Sequence, residues 1–198
     1  RVFTGSANFT VNCLYVNFND MLCIDCPGLA DSYRDAFYRL VDPWYRRQGS
    51  GLPNTFALGG GASVSAWVTP GPVAPCEVLM RRIEASSNAL EFLIFAFSSS
   101  ELSRCLCAAL ARKTEVAGIF DDAFESECVW RNWKSVPFQW LWRSGARVKY
   151  DGREARLHHK CLVADGRAVL RNGDDAAPRQ AATLRLRQHD ALFRHECP

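Results

Sequence analysis

Between residues 63 and 164, short apolar runs alternate with stretches of helical spacing, and that alternation restricts the chain to an α/β fold. Strands are predicted over residues 63–68, 89–97, 115–120, 147–150 and 158–164. Helices are predicted over 76–87, from Ser100 to about residue 112, and over 124–142 with an interruption at Pro137. Together these predict a mixed sheet flanked by helices. Hydrophobic residues make up 48% of the chain, enough to bury a proper core under such a sheet.

The first sixty residues read differently. Residues 1–4 form a strand end before the turn Gly5-Ser6-Ala7-Asn8, and residues 21–24 form a second short strand. Pro27-Gly28 punctuates the chain, and Leu29, Tyr33, Phe37 and Leu40 then recur near helical spacing, predicting a helix over 31–46. Residues 48–62 are Gly-rich around Gly59-Gly60-Gly61 and read as a linker. No Lys-Ser/Thr follows the triple glycine, so a phosphate loop is not expected there. Residues 171–198 form an atypical tail rich in Arg, Ala and Gln, with strand patterning only at Leu192-Phe193. The boundaries are therefore 1–47, 48–62, 63–170 and 171–198.

Bulk properties exclude little. A net charge of +3 neither demands nor rules out a nucleic-acid partner. The longest apolar stretch, residues 89–97, contains Glu91 and is too short to cross a bilayer, so no transmembrane segment is expected. Arg1 is not an initiator Met and no signal peptide is visible, so the start reads as a cut. The nine cysteines include Cys23-x-x-Cys26 and Cys105-x-Cys107, but the two pairs lie far apart and the second is too tight for a zinc knuckle. They read as small buried apolar residues; neither a metal site nor a disulfide framework is expected. Trp130, Trp133, Trp140 and Trp142 read as core.

Chemistry concentrates in one place. His158-His159-Lys160-Cys161-Leu162-Val163-Ala164-Asp165 has the form His-x-Lys-x4-Asp, in a chain with only four His. On a strand, His158 and Lys160 project to one side and His159 to the other. An imidazole beside an ammonium suits a phosphodiester: one can attack phosphorus or move a proton, the other can hold anionic oxygens. Asp165, at the strand's end, is expected to orient a histidine. His159 reads as structural, and His189 and His195 are assigned no role. Asp121 ends a strand and is a candidate supporting residue or a helix cap.

These residues resemble the phospholipase D superfamily, whose signature is His-x-Lys-x4-Asp with Gly-Ser-x-Asn several residues later. Gly5-Ser6-Ala7-Asn8-Phe9-Thr10 is similar to the tail of a first copy of that signature. The spacing of Asn19, Ile24, Leu29-Ala30, Tyr33 and Phe37 resembles the segment after that tail in bacterial members. The resemblance implies two similar α/β halves around a pseudo-twofold axis. Residues 1–47 would be the remnant of the first half and 63–170 a nearly complete second half. It implies His158, Lys160 and Asp165 as catalytic residues and Gly5, Ser6 and Asn8 as substrate-binding residues. One His would form a phosphohistidine and a second would protonate the leaving group, with no metal or other cofactor. The implied partner is a phosphodiester, phospholipid or nucleic acid: an apolar rim favours the first and a basic stripe the second. The first His and Lys are expected upstream of Arg1, and Asn172-Gly173-Asp174-Asp175 stands where a second Gly-Ser-x-Asn belongs. An incomplete catalytic unit is therefore expected, completed by a twofold homodimer if at all. The alternative is a fragment that binds phosphate or nucleic acid without turnover.

Overall fold

A computed structural model describes residues 1–42, 55–68, 73–124, 137–172 and 180–185. Its centre is an eight-stranded mixed sheet of β3 (Thr55–Ala57), β4 (Ser63–Val68), β5 (Ala89–Ile94), β6 (Glu115–Phe120), β7 (Arg147–Tyr150), β8 (Lys160–Ala164), β9 (Ala168–Asn172) and β10 (Gln180–Arg185). The spatial order is β3-β4-β10-β9-β8-β5-β6-β7. β5, β6 and β7 run parallel, whereas β8 is antiparallel to both β5 and β9. A separate two-stranded sheet joins β1 (Val2–Gly5) and β2 (Met21–Ile24), with Val2 opposite Ile24 and Gly5 opposite Met21.

Parallel neighbours need crossovers, and the helices supply them. Helix α3 (Pro75–Ala85) precedes β5, α4 (Ser100–Ala111) links β5 to β6, and α5 (Pro137–Arg143) precedes β7. α4 starts where Ser99 accepts from the Leu102 N–H at 3.2 Å. The main core gathers Ile83, Leu90, Phe92, Leu106, Val116, Phe120 and Leu141 with Leu162 and Leu170. Alternation along β5 and β6 aims Leu90, Phe92, Val116 and Phe120 into it. Phe92 lies over the Cα of Gly118, where a Cβ would enter its ring. A second core of Val2, Ile24, Cys26, Leu29, Val64 and Ala66 binds the β1–β2 sheet and α2 (Pro27–Val41) to β4.

Several expectations change. α2 begins at Pro27, four residues earlier than predicted, because proline is preorganised for the first helical position. A short helix α1 (Val11–Tyr15), capped by Thr10, lies between β1 and β2 and gave no periodic signal at five residues. The Gly-rich stretch contains β3, and the tail contains β10, whose backbone pairs β9 with β4. Trp142 is 63% exposed and Trp140 is 37% exposed, because α5 buries Pro137 and Leu141 instead. Trp130, Trp133, Leu192-Phe193, His189 and His195 lie outside the described residues. The seven described cysteines are free.

Candidate active site

His158 and Lys160 lie where β8 begins, buried to 4% and 5% exposure. The Phe95 N–H donates to the His159 carbonyl at 2.9 Å, extending the β5–β8 ladder past β8's first residue. Two-residue alternation then puts both side chains on one face. Lys160 Nζ lies 3.2 Å from His158 Nε2 and 3.3 Å from Nδ1, and donates to the His158 carbonyl at 3.1 Å. The Phe95 ring packs 4.9 Å from the imidazole and 5.6 Å from the ammonium, a cation–π distance.

The other wall comes from the far end of the chain. The Phe18 N–H donates to the Arg156 carbonyl and the His158 N–H to the Phe18 carbonyl, both at 2.9 Å. The loop between β1 and β2 is thereby stitched to the approach to β8. The Ser6 carbonyl lies 2.8 Å from His158 Nδ1, and Asn19 Oδ1 lies 3.0 Å from the same nitrogen. The Ser6 hydroxyl accepts from the Asp20 N–H at 3.1 Å and faces the Asn19 and Asp20 side-chain oxygens at 2.9 and 3.1 Å. Gly5 allows this approach: a Cβ there would stand 2.6 Å from the Asp20 carbonyl oxygen. Asn8 enters through its carbonyl, which accepts from the Thr10 N–H at 2.8 Å and holds the turn ahead of α1.

Asp20 clamps this arrangement from beneath. Its carboxylate meets His159 Nδ1 at 2.8 Å and forms an ion pair with Arg171, itself 5% exposed. Arg171 also donates to the carbonyls of Thr4 at 3.1 Å and Asp20 at 3.0 Å. Burial pushes the Asp20 carboxyl up, but the His159 hydrogen bond and the Arg171 and His159 charges outweigh it and hold the group below its ordinary value. Burial works against the Arg171 guanidinium more strongly than Asp20 supports it, so that group is held below its usual value.

Asp121 is 1% exposed. It accepts from the Leu157 N–H at 2.8 Å and the Phe124 N–H at 2.6 Å, fixing the residue before His158 and the ring that packs on Phe95. Burial raises its carboxyl above the ordinary value, and the two N–H donors offset part of that rise. Asp121 therefore fixes the backbone one residue ahead of His158.

Asp165 does not orient a histidine. It lies at the opposite end of β8, where the Arg167 N–H donates to the Ala164 carbonyl at 3.0 Å around Asp165 and Gly166, with φ of 53° and 59°. Two successive positive φ values make this an Asp-Gly type I′ hairpin turn. Its carboxylate accepts from the N–H groups of Ser87, Asn88 and Ala89 at 3.3, 2.8 and 3.0 Å, anchoring the entry to β5. Burial pushes this carboxyl up, but the three donors outweigh it and leave it below its ordinary value. A lowered native value stabilises the fold above the unfolded carboxyl's pKa, about 3.9, and that stabilisation is lost as pH falls through the native value. Asp165→Asn, which keeps the tolerance for positive φ, is expected to cost about 1 kcal/mol at neutral pH, with solvent exposure discounted. Urea unfolding at several pH values measures this; a deficit that persists undiminished at low pH would show that the charge is irrelevant.

Phe18, Asp20, Phe95 and Arg171 carry no signal in the sequence that singles them out, and Asn19 enters there only through its spacing. Asn19-Asp20 beside β2 is visible as a polar pair next to an apolar strand, but nothing local ties it to a histidine at position 158. Exposed apolar side chains gather on and beside α1: Phe9 is 92% exposed and Tyr15 81%, with Val11, Leu14, Val16 and Phe18 also exposed. Arg153 lies over the Phe18 ring at 5.3 Å and Arg156 over Phe95 at 5.5 Å. Among the described residues, no group of three or more His, Cys, Asp or Glu is placed to hold a metal. No helix among them is long and apolar enough to cross a membrane.

Comparison with known proteins bears on the fold. Residues 79–173 match the family described as cardiolipin synthase, PLD-like domain. No curated protein matches by sequence. Among solved structures, the phospholipase D family member Nuc from Salmonella typhimurium aligns at 16% identity and a TM-score of 0.52, covering 63% of this chain and 83% of Nuc. NucT from Helicobacter pylori aligns at 14% identity and a TM-score of 0.53, covering 63% of this chain and 86% of NucT. At such identities the structural matches establish a shared fold, and the family match covers β5 through β9, the strands that carry His158 and Lys160. Residues 79–173 are thus similar to a PLD-like domain, and the fold is shared with two phospholipase-D-like structures, Nuc and NucT.

Proposed function

We propose that this chain is a phospholipase-D-like phosphodiesterase unit, in which His158 and Lys160 form one half-site and Ser6, Asn19 and Asp121 hold His158 in place. The observation that carries the reading is the buried imidazole–ammonium pair, with Nζ 3.2 Å from Nε2. An imidazole lone pair can displace an alkoxide from phosphorus, and an ammonium beside it can neutralise the non-bridging oxygens. The resemblance supplies the rest: a phosphohistidine intermediate and a second imidazole to protonate the leaving group. Only one His-x-Lys occurs in this sequence. The second imidazole is therefore assigned to another half or another copy, and a twofold pair of chains would present the same patch from each side. The exposed apolar side chains Phe9, Val11, Leu14, Tyr15 and Phe18, with Arg153 over the Phe18 ring, favour a phospholipid over a nucleic acid.

The test is hydrolysis of bis(p-nitrophenyl) phosphate, phosphatidylglycerol vesicles and single-stranded DNA by the chain, with its mass measured by light scattering. A monomer is expected to be inactive or nearly so, and turnover is expected to follow the dimer fraction, on vesicles before DNA. Robust turnover by a confirmed monomer would overturn the two-imidazole account. Phosphate binding without turnover in every assembly would establish a binder instead.

A further inference from the structure

Arg156, His158 and Lys160 are spaced two apart in extended chain. Leu157, between the first two, pairs with Phe18 as neighbours on parallel strands do. Alternation therefore sends the three side chains to one face. They meet there around a single ring. The Phe95 centroid lies 4.9 Å from the imidazole centroid, 5.6 Å from Lys160 Nζ and 5.5 Å from the Arg156 guanidinium carbon. Exposure is graded along the row. His158 and Lys160 are 4% and 5% exposed, whereas the Arg156 side chain is 38% exposed. The guanidinium is thus the cation of this row that meets solvent.

Two cations beside one ring repel each other, and the ring offsets part of that repulsion. Asp121 lies 4.0 Å from one guanidinium nitrogen, while its oxygens accept from the Leu157 and Phe124 N–H groups at 2.8 and 2.6 Å. A guanidinium has five N–H donors in a planar fork, enough to hold that carboxylate and an anionic ligand together. Successive same-face residues on a strand stand about 7 Å apart. A three-carbon bridge such as glycerol separates two phosphates by a comparable distance.

We propose that Arg156 is a specificity-determining residue: while His158 and Lys160 take the scissile diester, the Arg156 guanidinium binds a second phosphate carried on the headgroup of the same phospholipid. The place of the diester rests on the phosphodiesterase reading above; the second anion site rests on the shared face and the exposure of Arg156. A headgroup ending in a quaternary ammonium would face the same two cations and be repelled. A nucleic acid also carries a neighbouring phosphate, but the exposed apolar side chains on and beside α1 favour the lipid.

The experiment begins with binding, which needs no turnover. Calorimetry of the full chain at fixed ionic strength compares inorganic phosphate with propane-1,3-diol bisphosphate. The bisphosphate is expected to bind about tenfold more tightly, and Arg156→Gln to remove most of that preference. Arg104→Gln, an equal loss of charge at an exposed position of α4, is expected to leave it intact. In any active assembly, vesicles of phosphatidylglycerol phosphate are expected to show about tenfold higher kcat/KM than phosphatidylglycerol, and Arg156→Gln to level the two. Equal affinity for the two probes in the wild type, or a preference undiminished in Arg156→Gln, would overturn the inference. An Arg156-dependent preference for single-stranded DNA over both lipids would overturn the lipid assignment. If Arg156→Gln fails to fold, Arg156→Met, which keeps an apolar stem on Phe95, carries the test. Arg156-dependent bisphosphate binding without turnover in any assembly would sink the phosphodiesterase reading and leave the anion site standing. Turnover without the preference would do the reverse.

Discussion

Replacing His158 by Ala is expected to bring hydrolysis of bis(p-nitrophenyl) phosphate to background in whatever assembly turns it over, a loss of about three orders of magnitude or more. The expectation rests on the position of the imidazole. The Lys160 ammonium lies 3.2 and 3.3 Å from its two ring nitrogens, and its Nδ1 also meets Ser6 and Asn19. Neighbouring His159 cannot stand in, because its Nδ1 is engaged with Asp20 on the other side of the strand. Removing the imidazole leaves a small cavity beside Phe95, so circular dichroism and the urea midpoint must accompany the assay. A folded His158→Ala variant that retains wild-type turnover would remove the half-site assignment altogether.

The second large effect concerns stability. Asp20→Asn is expected to lower the free energy of unfolding by about 3 kcal/mol at neutral pH, because it leaves the buried Arg171 guanidinium without its carboxylate. About a third of the Asp20 side chain remains exposed, which keeps the figure at the low end for a broken buried pair. The pH dependence has a definite sign. The native Asp20 carboxyl is held below its ordinary value, so its contribution is present above the unfolded pKa, about 3.9, and is lost as pH falls through the native value. Local consequences should precede global unfolding. Asp20 anchors the β1–β2 loop, so the Phe18 and His158 amides, which bond across that junction, are expected to exchange hydrogen faster in Asp20→Asn. A wild-type urea midpoint together with unchanged exchange at those amides would show that the clamp contributes nothing.

Local pattern was enough to place β2, β4, β6 and β7 with the bounds the structure gives, because each is a short apolar or alternating run ended by a charged, Pro, Gly or polar residue. The same alternation put His158 and Lys160 on one face. Elements with a weak local pattern escaped it. α1 is too short for a period, and β3 lies in a stretch whose glycines dominate its composition. β10 is a strand because β9 and β4 offer it two edges to pair with, and its partners on β4 lie more than a hundred positions away along the chain.

Asp165 separates the two kinds of information most clearly. Its spacing from Lys160 belongs to the motif, yet a strand rises about 3.3 Å per residue, so β8 carries it away from the histidine to the strand's far end. There an Asp-Gly turn and three N–H donors use its carboxylate. Asn19 is the converse: along the chain only its spacing after the first motif tail marks it, and the docking of the β1–β2 loop brings its amide to Nδ1. The sequence by itself determined the fold class and the pairing of an imidazole with an ammonium, because both depend on periodicities of a few residues. Which groups surround that pair was decided by tertiary structure, because side chains distant along the chain become neighbours only when their elements pack.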